Sequence, residues 1–194
     1  MTKIAPIDTK RLNLVSMSLE VLRLVMHGDF AGAGGEGGFS IPADCSLLGK
    51  KWVAHRLGLI EADPLQHPWM YRAMVRKTDK QMVGFISFHH KAPDPDLADF
   101  SPCAVELGYT VESAFRRQGY AKESVMAMMD WAEREHGVTT FILSISPANT
   151  PSLALAEVLG FGKVGERMDE EDGLEYTFRH DRQKDHEIRN RTRT

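Results

Sequence analysis

The sequence predicts an α/β fold, a mixed central sheet flanked by helices, and three observations carry that expectation. Alternating apolar stretches and stretches of helical spacing follow one another as strand, helices, three strands, helix, strand, helix, two strands. One stretch, "TTFILSIS" (139–146), is apolar nearly throughout, as a strand covered on both faces must be. Glycines stand where the helical patterns end, at Gly137 and Gly160.

The elements follow in order. "RLNLVSMS" (11–18) alternates, with Leu12 and Leu14 on one side, and reads as a strand. Ser18 can cap a helix over "LEVLRLVMHGD" (19–29). "GDFAGAGGEGGFS" (28–40) has no core-forming pattern and reads as a flexible loop beside an acceptor site. "LLGKKWVAHRLGLIEAD" (47–63) reads as a second helix, and "HPWMYRAMVRKTDKQMVGFISFHHK" (67–91) as two strands joined by "KTDKQ". After the proline-broken loop "APDPDLADFSP" (92–102), "CAVELGYTV" (103–111) is a strand of mixed burial. From Gly119 onward Ala121, Val125, Met128, Met129 and Ala132 keep helical spacing. Pro151 opens a helix through "SLALAEVLG", and "FGKVGERM" and "LEYTFRH" form a last strand pair around "DEEDG". The chain is expected to be one domain over 1–180, with a polar, mobile tail at 181–194.

Bulk properties narrow the function classes. The 194 residues are 42% hydrophobic and 26% charged, as in an ordinary globular chain with a sizeable core. A formal net charge of -3 gives no bias toward nucleic acid. Cys45 and Cys103 lack metal-ligand spacing and read as free thiols in a reducing compartment. With no apolar run of about 18 residues and no signal-peptide core, no membrane partner is expected, and cytoplasm is the default. No metal site is expected: His89 and His90, adjacent on a strand, would point to opposite faces. Trp52, Trp69 and Phe85 read as core or cleft wall.

The local basic cluster needs a local reason. "FRRQGYAKES" (115–124) places Arg116, Arg117 and Lys122 around Gly119 at a helix start. A helix N-terminus leaves backbone N–H groups without partners and carries partial positive charge, so anions bind there. Gly119 lets the backbone approach an anion's oxygen, and Ala121 keeps the next inward position small.

"VESAFRRQGYA" (111–121) resembles the acetyl-CoA motif of the GNAT-type N-acetyltransferases: Arg or Gln, two residues, Gly, one residue, then Gly or Ala. Arg116, Gly119 and Ala121 fill it. The resemblance implies that the amides of Arg117, Gln118, Gly119, Tyr120, Ala121 and Lys122 hold the pyrophosphate of coenzyme A. It implies too that the backbone near Val111 pairs with the pantetheine arm as an added strand would. "SPANTPSLALAEVLGFGKVGE" (146–166) resembles the family's second motif, with Asn149, Ser152, Gly160 and Phe161 in place. The family uses that Asn and Ser near the pantetheine; Asn149 can equally cap its helix, and both can hold together. The opening "DTKRLNLVSMS" and Ser152 resemble the branch that acetylates the N-termini of ribosomal proteins.

The implied activity is transfer of an acetyl group from acetyl-CoA to a primary amine by direct attack, in a monomer or homodimer. Acetylation of a small molecule, such as an antibiotic or polyamine, and an acyl-CoA-binding sensor are the alternatives. Glu106 matches the strand position where some family members keep a general base; the other reading is an exposed strand glutamate. The family's thiolate-protonating Tyr is replaced by Ala156, and a thiol of pKa about 8.5 leaves without that help. Tyr109 and Tyr120 read as packing or coenzyme A contacts. "GAGGEG" (32–37) spells a dinucleotide fingerprint but lacks the strand before it and the helix after it that such a site needs.

Overall fold

A computed structural model describes residues 4–42, 45, 49–98, 100–169 and 173–182. The tail from 183 on, the middle of the acidic turn at 170–172, and the leucines at 47 and 48 lie outside the described residues. The strands are β1 (Ile7–Asp8), β2 (Leu12–Ser16), β3 (Arg72–Arg76), β4 (Met82–Phe88), β5 (Ala104–Val111), β6 (Thr140–Ile145), β7 (Gly162–Asp169) and β8 (Gly173–Asp181). The helices are α1 (Leu19–His27), α2 (Phe30–Gly37), α3 (Lys50–Ala62), α4 (Tyr120–His136) and α5 (Thr150–Val158). Strand order is β1-β2-β3-β4-β5-β6-β8-β7. The chain forms two compact units, 1–91 with 109–128 and 92–108 with 129–194, and β5 and α4 each give residues to both.

In the first unit, β1 to β4 pair antiparallel. Ser18 caps α1 by accepting from the Val21 N–H at 3.1 Å, and Gly28, at φ 81°, ends it. The inward stripe Val21, Leu22 and Val25 packs with Val53, Leu57 and Ile60 of α3 and with Ala73 and Val75 of β3. Arg72, on the opposite face of β3, is also buried. Its guanidinium donates to the carbonyls of Pro68 (2.8 and 3.1 Å), Leu14 (3.3 Å) and Ala5 (3.3 Å). A charge this deep is tolerable only when its N–H groups are so satisfied.

Four expectations are corrected. The glycine-dense stretch forms a helix, α2, whose first turn Asp29 caps by accepting from the Gly32 N–H at 2.8 Å. Gly34 and Gly37 are there for space: a Cβ on Gly34 would stand 2.7 Å from the Phe39 carbonyl oxygen, and one on Gly37 2.5 Å from the Phe39 ring. Tight return of the chain outweighs the poor helix propensity of glycine, about 1 kcal/mol per residue. β4 ends at Phe88, so His89 and His90 lie in a bend and not on a strand. Trp52 is exposed, whereas Trp69 is buried edge-on against Phe88. Asp181, counted with the tail, is the last residue of β8.

Gly84 is required by close approach. The β3–β4 register shifts beside it, and a Cβ there would meet the Thr110 carbonyl oxygen at 2.3 Å and the Val111 Cα at 3.0 Å. Gly84→Ala is therefore expected to push β4 and the end of β5 apart and to cost about 2 kcal/mol, within the range for overpacking. Chemical denaturation measures it; an unchanged midpoint would show that the two strands can separate freely.

In the second unit, β5 and β6 pair parallel through Ala104↔Thr140, Val105↔Phe141 and Glu106↔Ile142. The register stops at that last pair although both strands run on. β6, β8 and β7 continue antiparallel. Arg182 closes the end of β8 by donating to Asp130 (2.5 Å) and Glu133 (3.0 Å) of α4.

Candidate active site

The first unit holds the turn 116–119 and the start of α4. Arg116, Arg117, Gln118 and Gly119 are exposed, and so is Lys122. Two residues in the turn have left-handed backbone, Gly119 at φ 81° and Arg117 at φ 61°. For arginine that conformation costs roughly 1 kcal/mol, which the surrounding structure must hold in place. The Arg116 Nε–H turns back to the Val111 carbonyl at 3.0 Å, so Val111 and Arg116 are tied together.

A clasp invisible in the sequence holds this turn. The Arg11 backbone N–H (2.6 Å) and the Thr9 hydroxyl (2.7 Å) donate to Glu123 Oε1, and Arg11 Nε–H donates to Oε2 at 2.7 Å. Arg11 lies over the Tyr120 ring at 4.6 Å and donates from Nη1 to the Gln118 carbonyl at 2.8 Å. In a trans peptide the carbonyl of Gln118 and the N–H of Gly119 point opposite ways. Pinning the carbonyl to Arg11 thus aims the Gly119 N–H away from it. Tyr120 is buried under Arg11 and Ala121 is half-buried, so the helix start rests on packing while its preceding turn stays open.

Burial alone would raise the Glu123 carboxyl, but the hydrogen bonds from Thr9 and Arg11 outweigh it and hold the group below the usual carboxylate range. A lowered folded-state pKa stabilises above the unfolded value of about 4.3 and is lost as pH falls through the folded value. Thermal stability is therefore expected to fall as pH drops from about 5 towards 3, less steeply in Glu123→Gln. Melting curves across that range test it, and identical acid dependence in the two proteins would contradict the clasp's strength.

In the second unit Asn149 caps α5, its Oδ1 accepting from the Ser152 N–H at 3.3 Å. The two residues of the second motif thus share one cap. Ala156 is fully buried, and no phenol stands at that position.

Glu106 is only 3% exposed, which removes the reading of it as an exposed strand residue. It is the last residue of β5 paired with β6. Arg167 of β7 faces its carboxylate, Nη2 to Oε1 at 3.2 Å and Nη1 to Oε2 at 3.4 Å. Arg167 also donates from Nε to Glu175 Oε2 at 3.1 Å across the β7–β8 pair. Neither Arg167 nor Glu175 carries a sequence signal, because a cross-strand pair depends on register.

Comparison with known proteins identifies the family and the fold. The model of the acetyltransferase (GNAT) domain matches residues 43–162. Among solved structures, an acetyltransferase from Agrobacterium tumefaciens is 22% identical, with 93% of this chain and 96% of that one covered at a TM-score of 0.59. A ribosomal-protein alanine acetyltransferase from Vibrio fischeri is 15% identical, with coverages of 92% and 97% and a TM-score of 0.62. A spermidine N-acetyltransferase chimera that includes the Vibrio cholerae enzyme is 12% identical, with coverages of 90% and 98% and a TM-score of 0.62. No curated protein matches the chain closely in sequence. The chain belongs to the GNAT acetyltransferase family, and its fold is the acyl-CoA N-acyltransferase fold. It is an acetyl-CoA-dependent N-acetyltransferase. No helix among the described residues is long and apolar enough to cross a membrane.

Proposed function

We propose that the protein, one domain over 1–180, acetylates a protein N-terminal or other low-pKa primary amine by direct attack on acetyl-CoA. The observation that carries this reading is the open, clasped turn before α4. Its backbone is left-handed at Arg117 and Gly119, and the side chains of Arg116, Arg117 and Lys122 are exposed around it. Such a turn fits a diphosphate: amides of Arg117 through Lys122 donate, and the three cations neutralise charge. A side chain at 119 would occupy the space in which Arg11 Nη2 lies 3.3 Å away. Backbone pairing of Val111 with the pantetheine arm, and cosubstrate contacts from Asn149 and Ser152, are what the two motifs' resemblance implies.

Acetyl-CoA supplies an activated carbonyl. The amine nitrogen forms the new C–N bond, the C–S bond breaks, and the electron pair leaves on sulfur. Glu106 acts as the base that takes the amine's proton. An α-amine of pKa about 8 is neutral in roughly one molecule in ten at pH 7, a lysine of about 10.4 in only a few per ten thousand. A low-pKa acceptor therefore makes the smaller demand on proton removal by Glu106. The ribosomal-protein enzyme among the structural neighbours agrees with that acceptor, and the spermidine enzyme favours a small polyamine as the second reading.

Incubation with acetyl-CoA and either peptides bearing free N-termini or a panel of polyamines and amino sugars separates them. Free coenzyme A is expected with the peptides. Release with the small amines alone would overturn the acceptor assignment.

A further inference from the structure

We propose that Glu175 takes up the proton the acceptor amine loses, and that Arg167 is a positioning residue holding Glu106 and Glu175 in one network. The inference rests on Glu106 as the base. Glu175 lies on β8 directly across from Arg167 on β7, their Cα atoms being register partners. Arg167 reaches both carboxylates with one planar fork, Nε to Glu175 and both terminal nitrogens to Glu106. The two carboxylate side chains are little exposed, 4% for Glu106 and 12% for Glu175, while that of Arg167 is 42% exposed. A cross-strand ion pair serving stability alone needs only Arg167 and Glu175. Here the same guanidinium turns its other edge to a buried carboxylate on β5, at the residue where the β5–β6 pairing ends.

The charges around Glu175 suit proton uptake. It faces Arg167 and Asp169 from β7 and Glu106 from β5. Burial pushes the Glu175 carboxyl up, the hydrogen bond and charge of Arg167 oppose this, and the charges of Glu106 and Asp169 add to the rise. The proton affinity of Glu175 is thus raised. In the step proposed, an N–H bond of the acceptor ammonium breaks and its electron pair stays on nitrogen. The proton is delivered by way of Glu106 to a carboxylate oxygen of Glu175, and it leaves to solvent after the amide product departs. The Arg167 fork fixes the orientation of the Glu106 oxygens during this transfer.

The test is steady-state kinetics against pH with the full chain, acetyl-CoA and the best acceptor found, for wild type, Glu175→Gln, Arg167→Gln and Arg167→Lys. Glu175→Gln is expected to lower kcat about 100-fold, the size of a lost proton acceptor, with KM for acetyl-CoA unchanged. It should also abolish the acidic limb that in wild type lies above the ordinary glutamate range. Arg167→Gln should lower kcat about tenfold, and Arg167→Lys, which keeps the charge without the fork, should recover part of that. Wild-type kcat and pH profile in Glu175→Gln would overturn the proposal. Should that variant fail to fold by circular dichroism, Glu175→Asp is read instead: a tenfold lower kcat supports the role, and an unchanged one refutes it. Wild-type turnover in Glu106→Gln removes the base assignment itself, whereas a slow Glu106→Gln beside a fast Glu175→Gln removes this inference alone.

Discussion

Gly119→Glu is expected to abolish coenzyme A binding, raising Kd at least about 100-fold while the protein stays folded. The loss is argued from two or more charge-assisted hydrogen bonds, each contributing roughly 1.5–3 kcal/mol. A carboxylate at 119 puts like charge where a diphosphate would sit and a side chain where the backbone must approach. Part of the effect is conformational, because Gly119 has φ 81° and any other L residue is strained there. Gly119→Ala carries that strain and the 3.3 Å contact with Arg11 without the charge, so it should weaken binding by less. Calorimetric titration of coenzyme A into both variants, with melting curves beside it, makes the comparison. Wild-type affinity in Gly119→Glu would move the diphosphate elsewhere.

Glu106→Gln is expected to lower kcat by about 10²–10⁴, the range for a positioned general base. Glutamine keeps the shape of a side chain that is 3% exposed and can still accept from Arg167. Cavity formation therefore contributes little, and the substitution removes the charge together with one of the two Arg167 hydrogen bonds. If the carboxylate removes a proton from the amine, the defect shrinks as pH rises past the acceptor's own pKa, since the amine is then neutral without help. If Glu106 only anchors Arg167, melting temperature falls while turnover at every pH stays near wild type. The two outcomes are read from one pH series, and a pH-independent defect in turnover would also exclude the base role.

Local pattern made much of the fold readable. Leu12 and Leu14 alternate on β2, Ser18 precedes α1 as a cap, and Gly137 and Gly160 end α4 and the α5 turn, each at positive φ. These signals are short-range, and a few neighbouring residues decide them. "TTFILSIS" was legible as an interior strand because both its faces must be apolar. The stretch 28–40 was misread for a physical reason: its glycines lower helix propensity, yet α2 needs Gly34 and Gly37 against the Phe39 backbone and ring. Propensity acts residue by residue, whereas that demand comes from the chain returning on itself.

The candidate site divides along the same line. Arg116, Gly119 and Ala121 mark a basic glycine turn at a helix start, and Asn149 with Ser152 a capped one, because each motif lies within a few residues of chain. Arg11 clasping Glu123 across 112 positions, Gly84 making room for Thr110, and Arg167 forking between Glu106 and Glu175 have no such spacing to betray them. By itself the sequence determined the order of most elements, the glycine turn that opens α4 and the absence of a phenol at 156, since these follow from nearest-neighbour chemistry. Only the tertiary structure decided which way the Gln118 carbonyl faces and which charges surround the Glu106 carboxylate, because strand register and hydrogen bonds between distant segments set them.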